Sequence, residues 1–584
     1  MTETTIARPW LDTDLSVDER VQLLLDAMTI EEKAGLFFHT MIAIGDLEEP
    51  NPVFATPSAR EFLESKRMTH FNLLGGAPSG REIAAWHNAL QRLAASTRLG
   101  IPVTLSTDPR HSFSENPGAS ILAGPFSQWP ETLGLAATRD EELVERFADI
   151  ARQEYTAVGL RVALHPQVDL ATEPRWARQT ATFGEDAELA GRLGAAYIRG
   201  FQGESFGPGS VSTMTKHFPG GGPQKDGEDP HFPYGREQVY PGGEFELHLK
   251  PFEDALAAGT RQMMPYYGMP VGTEYEEVGF GFNKSVITGL LRERYRFDGL
   301  VCTDWGLISD SEIFGQPFPA RAWGVEDLTP RERMKKVLDA GVDQFGGEAN
   351  PELLLELIAD GEVTEERLDI SARRILREKF ELGLFDDPFV DEDAADEIVG
   401  RADFRAAGEE AQRASITVLA NDDVLPFPPG RKLYVEGIDA DVAAAFGQVV
   451  DTPAEADLAI LRLQAPFEER ATMFENFFHA GSLEFSEAVI AHVREVAAAV
   501  PTVVDVLADR PPILTPIAGV AAALTVNWGA SAPALLDVLS GASPARGALP
   551  FDLPRSMAAV EASRPDVPFD TADPLFRFGH GLAL

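Results

Sequence analysis

The sequence predicts an α/β protein in which an N-terminal TIM-like (β/α)8 barrel is followed by an α/β sandwich domain. The first two thirds of the chain alternates short apolar, β-branched runs with longer amphipathic stretches, which is the pattern of repeated βα units around a parallel sheet. The chain has 584 residues, more than one hydrophobic core normally holds. We therefore expect the barrel in residues 1–385, a linker in 386–410 and the sandwich domain in 411–584.

The first unit contains six candidate strands with helical patterns between them. The predicted strands are Ile101–Thr107, Arg161–Val168, Val211–Thr215, Arg261–Tyr267, Leu300–Thr303 and Val342–Phe345. The predicted helices are Glu141–Val158, Glu188–Phe201, Glu244–Ala258, Lys284–Tyr295 and Arg331–Ala340. Near the N-terminus, Thr29 and Glu32 have the spacing of a capping box, which predicts the start of a further helix.

A second α/β pattern follows a change in composition. After residue 385 the alternation gives way to a charged segment that runs through Arg401, and this segment is the predicted linker. The strands predicted beyond it are Ile416–Leu419, Leu433–Glu436, Leu458–Leu463, Val503–Leu507 and Ala522–Val526. The predicted helices are Ser486–Ala499 and Pro533–Ser540.

The charge of the chain favours a small neutral molecule as its substrate. Ninety-two acidic residues against fifty basic ones give a formal net charge of −42, which repels nucleic acid and anionic membrane surfaces. The acidic residues are spread along the chain, as is typical of a solvated surface. No apolar run of about 20 residues is present to span a bilayer.

The cysteine content and the first residues bear on the cellular compartment. Cys302 is the single cysteine, so an internal disulfide cannot form. The first residues lack the basic and apolar regions of a signal peptide, which predicts a cytoplasmic protein. We expect that folding requires no metal, and a soluble protein of this size could form a homodimer.

Polar side chains follow several of the predicted barrel strands. In such barrels the chemistry occurs where the strands end, because the loops there converge on one mouth. Residues of this kind are Asp108, His165, Lys216, His217, Tyr266 and Asp304.

Asp304 has the surroundings that a glycosidic nucleophile needs. It follows an apolar run and precedes Trp305, whose ring could stack on a sugar, while a carboxylate can attack an anomeric carbon. An aspartate at a strand end is more often a cap or turn residue, so its interpretation depends on its neighbours. Lys216 and His217 precede three glycines and could hold sugar hydroxyls. A phosphate-binding loop would instead require a helix directly after these glycines.

These motifs resemble those of glycoside hydrolase family 3, and the resemblance covers nearly the whole chain. The matching stretches are Met28–Lys33, Arg98–Pro102, Ser106–Asp108, Gly134–Asp140, Glu173–Arg178, Phe183–Asp186, Lys216–His217, Thr303–Trp305, Pro544–Pro550, Leu553–Ser556 and Pro574–Leu582. The resemblance implies a retaining, exo-acting β-glycosidase without a cofactor. It points first to a β-glucosidase that removes terminal, non-reducing β-D-glucosyl residues from a small neutral glycoside or oligosaccharide. A β-xylosidase and a sugar-binding pseudoenzyme are alternatives.

The resemblance also implies roles for individual residues. It implies that Asp304 is the nucleophile. The residues that it implies bind the non-reducing sugar are Asp108, Arg178, Lys216, His217 and Tyr266. His111 stands in a run that departs from the family pattern, Asp-x-x-His-Gly, because Ser112 replaces the glycine. Arg175 belongs to the same motif as Arg178, and a buried ion pair with Glu173, Glu185 or Asp186 is an equally good interpretation for it.

The general acid has several candidates. In two-domain members of the family it commonly comes from a second-domain loop after a strand, which makes Glu469 the first choice and Glu468 the alternative. Glu475 is a more distant third, and each could be a surface glutamate. The β-N-acetylglucosaminidases of the family instead use an Asp-x-His pair, which Asp229 and His231 match superficially. The sequence before this pair differs from theirs, so we favour the glucosidase and expect His231 to line the pocket.

Overall fold

Eight parallel strands form a closed barrel in the N-terminal part of the chain. The computed structural model describes residues 7–108, 111–115, 119–313 and 316–584. The barrel strands are β1 (Phe38–Ala43), β2 (His70–Leu74), β3 (Thr104–Thr107), β4 (Leu160–Ala163), β5 (Ser212–Phe218), β6 (Gln262–Pro265), β7 (Leu300–Val301) and β8 (Phe345–Gly346). Each pairs with the next along the chain, β8 pairs with β1, and a bridge between Cys302 and Gln344 joins the ends of β7 and β8. The predicted barrel is confirmed.

Helices surround the barrel and bury their apolar faces on it. The described α-helices are Val17–Ala27, Ile30–Gly35, Gly80–Ala95, Thr132–Thr138, Glu141–Ala157, Ala187–Gln202, Phe245–His248, Lys250–Ala257, Pro330–Ala340, Pro351–Ala359 and Glu365–Glu381. The Thr29 capping box is confirmed. The helix predicted over 244–258 is broken in two, because Pro251 has no N–H with which to continue the first piece. The helix predicted over 284–295 is wound as a π-helix, Ser285–Arg294.

Strands β1 and β2 are absent from the sequence prediction, because polar residues interrupt their apolar pattern. Within the barrel these residues are satisfied by hydrogen bonds. The His39 Nε2 atom lies 2.7 Å from Ser106 Oγ, and that hydroxyl donates to Asn72 Oδ1 at 3.2 Å. Polar groups can be buried at low cost when each has such a partner, so periodicity alone does not find these strands.

The second domain is a mixed sheet with helices on both faces. Its strands are β9 (Thr417–Asn421), β10 (Lys432–Glu436), β11 (Gln448–Val449), β12 (Leu458–Gln464), β13 (Thr502–Leu507) and β14 (Ala523–Asn527). They lie in the order β9-β14-β13-β12-β10-β11, and only β9 is antiparallel to its neighbour. The helices are Ala440–Ala443, Glu487–Ala499, Thr515–Ala518, Ala532–Leu539 and Met557–Ala562. The predicted α/β sandwich is confirmed.

The segment 386–410, for which the sequence predicts a linker, is largely helical. Helices Glu392–Ile398 and Ala402–Ser415 occupy most of it. The segment is tied to the barrel, where Asn88 Nδ2 donates to Val390 O at 2.9 Å and Arg405 Nη2 donates to Pro125 O at 2.8 Å. Its charged side chains face solvent, which explains why composition alone suggests a linker.

The two domains are docked through buried hydrogen bonds. The side-chain carboxyl oxygens of Glu185, in the barrel domain, accept from the backbone N–H groups of Asp552 at 2.6 Å and Phe569 at 2.8 Å. In the opposite direction, the carboxylate of Asp566 accepts from the backbone of Gly242 and Glu244 in the barrel domain. Bonds of this kind fix orientation as well as distance, because both partners are rigidly held.

Glu185 makes this docking sensitive to pH. Burial raises the pKa of Glu185 to about 8 from 4.5, although both backbone donors oppose the shift. Between pH 4.5 and about pH 8, Glu185 in the folded protein retains a proton that the unfolded chain has released. The free energy of unfolding therefore falls as pH rises through this range. We expect the Tm of Glu185→Gln to fall less than that of the wild type between about pH 5 and about pH 8. Differential scanning calorimetry at several pH values measures this, and parallel curves for the two proteins would contradict it.

Candidate active site

A cavity of about 890 Å³ opens at the carboxyl ends of the barrel strands. Residues at or beyond the carboxyl ends of the barrel strands line it, and the second domain adds three phenylalanines. The members used below are Asp108, Gln167, Arg178, Lys216, His231, Tyr267, Asp304, Trp305, Phe318, Phe474, Phe477 and Phe478. Within the described part of the chain, no group of three or more His, Cys, Asp or Glu residues could hold a metal ion. None of the described helices is long and apolar enough to cross a membrane.

Asp304 follows β7 by three residues and lines this cavity. Its Oδ1 atom accepts from the backbone N–H of Trp305 at 2.8 Å. Its Oδ2 atom is buried and makes no hydrogen bond within the described residues, and it lies 3.7 Å from His217 Nε2. One oxygen is thus fixed while the other keeps its lone pairs for a ligand, as a carboxylate nucleophile requires.

Lys216 and Asp108 form an ion pair that borders the cavity. The Lys216 Nζ atom lies 2.7 Å from Asp108 Oδ1, and both side chains are largely buried. Burial lowers the pKa of Lys216, and the charge of Arg178 adds to this, while Asp108 opposes it. An ammonium donor beside a carboxylate acceptor suits two neighbouring hydroxyl groups of a sugar.

His217 does not border the cavity and instead orients Arg178. Its Nδ1 atom lies 2.7 Å from Asp169 Oδ2, and its Nε2 atom lies 3.2 Å from Arg178 Nη2. Burial lowers the pKa of His217 well below its usual value, with the charges of Arg178 and Lys216 contributing, so the ring is neutral. A neutral ring that donates from Nδ1 to Asp169 accepts from Arg178 at Nε2.

Asp169 is a candidate site residue that the sequence interpretation missed. Its Oδ1 atom also accepts from the backbone N–H of Gly221 at 2.6 Å, and burial raises its pKa to about 6. It follows the predicted strand Arg161–Val168 directly, so the strand-end rule would have found it. Gln167 was also missed; it lines the cavity, and its buried Oε1 atom has no partner among the described residues.

The family resemblance predicts that Tyr266 binds the sugar, whereas the structure places its neighbour Tyr267, and not Tyr266, in the cavity lining. Tyr266 is wholly buried beside Gly221, and its hydroxyl oxygen accepts from Trp176 Nε1 at 3.3 Å. Tyr267 lines the cavity instead, and its hydroxyl donates to Trp305 O at 2.8 Å. Consecutive side chains leave an extended backbone in opposite directions, so an error of one residue changes which ring meets a ligand.

Arg175 and Arg178 differ in their surroundings. Arg175 Nε forms an ion pair with Glu173 Oε1 at 2.8 Å. This is one of the ion pairs that the sequence suggests for Arg175. Arg178 borders the cavity. Burial would lower the pKa of Arg178, but neighbouring acidic groups, Asp229 and Asp304 among them, outweigh burial and raise it. Arg178 therefore keeps its positive charge beside Asp304.

The glutamates favoured as the general acid lie outside this cavity. Glu468 and Glu469 are exposed, and Glu468 Oε1 accepts from the backbone of Ser482 at 3.2 Å, which is a structural contact. Glu475 accepts from Tyr234 Oη at 3.0 Å. Burial would raise the pKa of Glu475, but hydrogen bonds outweigh burial and lower it, which is unsuited to an acid that must hold a proton.

His231 and Asp229 form a buried pair at the same cavity. The His231 Nδ1 atom lies 2.6 Å from Asp229 Oδ1, so the Nε2 atom is the one left for a ligand. Burial would raise the pKa of Asp229, but the interaction with His231 outweighs burial and lowers it. The imidazole packs against Tyr267, at 4.6 Å between ring centroids, and Phe478, at 4.7 Å.

A strand-end carboxylate with one unpaired oxygen, beside cationic and acidic groups in a barrel mouth, is an arrangement suited to an O-glycoside hydrolase. The chain belongs to glycosyl hydrolase family 3: the model of the family's N-terminal domain matches residues 60–378, and that of its C-terminal domain matches residues 434–584.

Named relatives cover nearly the whole chain. It is 53% identical to a probable beta-glucosidase C of Aspergillus flavus, over 98% of this chain and 91% of that protein. It is 41% identical to a periplasmic beta-glucosidase/beta-xylosidase of Dickeya chrysanthemi, with the same two coverages. The fold is also that of a beta-glucosidase from Listeria innocua, solved as a mutant with laminaribiose, at a TM-score of 0.77 and 22% identity, over 97% of this chain and 83% of the other. A beta-glucosidase of Erythrobacter marinus gives a TM-score of 0.80 at 20% identity, with coverages of 99% and 84%.

Asp169→Asn tests the chain of bonds from Asp169 through His217 to Arg178. The backbone N–H groups would hold the oxygen of the new amide, so its NH2 group would point at His217 Nδ1. Nδ1 would then have to accept, which favours the tautomer with the proton on Nε2. That proton would face the guanidinium group of Arg178, which His217 could no longer accept from. We expect kcat/KM for an aryl β-glycoside to fall about 10²-fold, as displaced binding groups do. A suitable control is Asp505→Asn, because Asp505 is equally buried but binds Thr525 and Asn527 in the second domain. Equal losses in the two variants would contradict the role of Asp169.

Proposed function

We propose that the protein is a retaining, exo-acting β-glucosidase that hydrolyses terminal, non-reducing β-D-glucosyl residues. The observation that carries this proposal is the unpaired Oδ2 atom of Asp304 at the cavity, next to Lys216, Asp108 and Arg178. The choice of glucose is supported by relatives named as beta-glucosidases that are 52–53% identical to this chain.

The reaction proceeds by two displacements at the anomeric carbon. Asp304 Oδ2 attacks this carbon, the bond to the leaving oxygen breaks, and that oxygen receives a proton from the general acid. Water then attacks the glycosyl ester, gives its proton to the same group, and releases Asp304. Two inversions give net retention. Lys216 and Arg178 donate hydrogen bonds to sugar hydroxyls, and Asp108 accepts them, which lowers the barrier where these contacts tighten in the transition state.

Trapping the covalent intermediate tests the nucleophile. With a 2-deoxy-2-fluoro-β-glucoside that carries a good leaving group, the first step outruns the second, so an ester should accumulate on Asp304. Mass spectrometry of a protease digest locates this label. Asp304→Ala should remove essentially all turnover of an aryl β-glucoside, a loss of about 10⁴-fold or more for a missing nucleophile. Near-normal activity in that variant, or a label on another residue, would refute the assignment.

We propose further that the His231–Asp229 pair supplies the proton. His231 borders the cavity with Nε2 unused by Asp229, and the carboxylate of Asp229 stabilises an imidazolium ring. Glu468 and Glu469 are exposed and do not line the cavity. This assigns the proton donor only, and it leaves the substrate a β-glucoside.

The dependence on the leaving group separates the candidate donors. An enzyme without its general acid cleaves slowly those substrates whose leaving oxygen must be protonated. The rate of the first step is kept on substrates whose leaving group departs without a proton. We expect His231→Ala to cut the rate on phenyl β-glucoside about 10²- to 10⁴-fold, and that on 2,4-dinitrophenyl β-glucoside far less. Glu469→Gln and Glu468→Gln are matched controls that should keep the wild-type ratio. If Glu469→Gln gives the selective loss instead, the second domain supplies the acid.

A panel of aryl glycosides compares the remaining activities. The β-xyloside belongs in it because the relative from Dickeya chrysanthemi carries both names, and the β-N-acetylglucosaminide belongs in it because of the Asp-x-His pair. Covalent trapping would exclude a pseudoenzyme that only binds sugar. The cytoplasmic location and the homodimer stay predictions from the sequence, and the Dickeya relative is named as periplasmic.

A further inference from the structure

One loop of the second domain forms a wall of the cavity. This segment, residues 465–482, leaves the end of β12 and is called the aromatic loop below. Phe474 packs on Phe318 of the barrel domain, at 5.0 Å between ring centroids, and Phe478 packs on His231 at 4.7 Å. The loop has no strand and only a single 3-10 turn, Glu475–Phe477. Internal hydrogen bonds, such as that from Arg470 N to Asn476 Oδ1 at 2.7 Å, give the loop its shape, and contacts from outside hold it against the barrel.

The side chain of Arg510, which follows β13, holds both ends of this loop. Its Nη2 atom donates to Pro466 O at 2.7 Å, and its Nη1 atom donates to Gly481 O at 3.0 Å. The same Nη1 atom donates to Arg175 O at 3.0 Å, three residues before Arg178 in the barrel domain. One guanidinium group thus joins the aromatic loop to the barrel loop that helps to bind the sugar.

Arg510 is well suited to this task by its burial and its shape. The side chain is wholly buried, and this burial lowers its pKa to about 10, which still leaves it charged at neutral pH. Charged donors make stronger hydrogen bonds to carbonyl oxygens than neutral donors do. The planar fork of an arginine can reach three carbonyls in fixed directions, which the single ammonium group of a lysine cannot match.

The aromatic loop lies on the leaving-group side of the cavity. The groups proposed to bind the non-reducing sugar come from the ends of the barrel strands, whereas Phe474 and Phe478 come from the second domain and contact Phe318 and His231. Phe478 also contacts His231, the proposed proton donor, which must sit beside the leaving oxygen. Aromatic rings at this place favour an apolar leaving group, because its burial against them is favourable.

We propose that Arg510 is a positioning residue that sets the preference for apolar leaving groups by placing Phe474 and Phe478 against the barrel. The proposal rests on the proposed β-glucosidase function. It predicts that a change at Arg510 alters which glucosides are hydrolysed, beyond any loss of folded protein.

The barrel offers a closely matched control in Arg161. This side chain is also buried, with its pKa lowered by burial to about 10. It also donates to three carbonyl groups, those of Pro208, Ser210 and Leu382. It lies at the start of β4, at the amino ends of the barrel strands, so Arg161→Lys should reduce stability without moving the aromatic loop.

The test compares n-hexyl β-glucoside with methyl β-glucoside on the same preparation of each enzyme. The two leaving alcohols, n-hexanol and methanol, have similar acidity, so hydrolysis of both substrates depends equally on proton donation. Only the hexyl group is long enough to reach the rings of Phe474 and Phe478. The ratio of the two kcat/KM values does not depend on the fraction of folded enzyme, so even a poorly folding variant gives an answer. We expect the hexyl-to-methyl ratio to fall about tenfold in Arg510→Lys, Arg510→Gln and Phe474→Ala, as losses of apolar contact do. Arg161→Lys should keep the wild-type ratio.

Each outcome decides a separate point. An unchanged ratio in both Arg510 variants, together with a fall in Phe474→Ala, would overturn the role of Arg510. An unchanged ratio in Phe474→Ala would overturn the aromatic wall itself, and a similar fall in Arg161→Lys would show that the effect is unspecific. A wild-type enzyme that hydrolyses neither glucoside would refute the proposed function instead.

Discussion

Parallel pairing of all eight barrel strands is the constraint on which the site depends. Because every strand runs in the same direction, their carboxyl ends meet at one mouth, although the residues that follow them are far apart in sequence. Asp108 and Lys216 are separated by 108 positions yet lie 2.7 Å apart. The bridge between Cys302 and Gln344 closes the ring and places Asp304, two residues after that cysteine, opposite the groups that follow β3 and β5.

Within this mouth, burial gives each polar contact more weight than it would have in water. The neutral ring of His217 can accept from Arg178 only because Asp169 holds the proton on its other nitrogen. A protonated ring in the same place would direct a donor at a guanidinium group and add a third positive charge beside Lys216. The low pKa of His217 and the hydrogen bond to Asp169 therefore act together, and both follow from burial at the end of β5.

The sequence predicts this arrangement well where a simple rule links chain position to space. The strand-end rule leads directly to Asp108, Lys216 and Asp304, and it would also have led to Asp169. It fails by one residue at Tyr266, because the direction of a side chain depends on the local backbone: the pairing of β5 and β6 shifts register between Lys216 and Phe218. Such a shift leaves no trace in composition or periodicity.

The second domain was predicted well in its strands and poorly in its contribution to the site, for a related reason. Strands β9 to β14 are apolar runs of ordinary length, except for the two-residue β11, whereas the aromatic loop has no repeating pattern. It is held by contacts that are distant in sequence, among them the bonds from Arg510, the Glu475–Tyr234 hydrogen bond and an ion pair between Arg470 and Glu228. The groups proposed to bind the sugar are fixed by the hydrogen-bond ladder of a closed barrel. The aromatic loop is instead held by a few side-chain contacts, those of Arg510 among them. Substitutions in the aromatic loop should therefore change the preferred leaving group while the position of Asp304 stays the same.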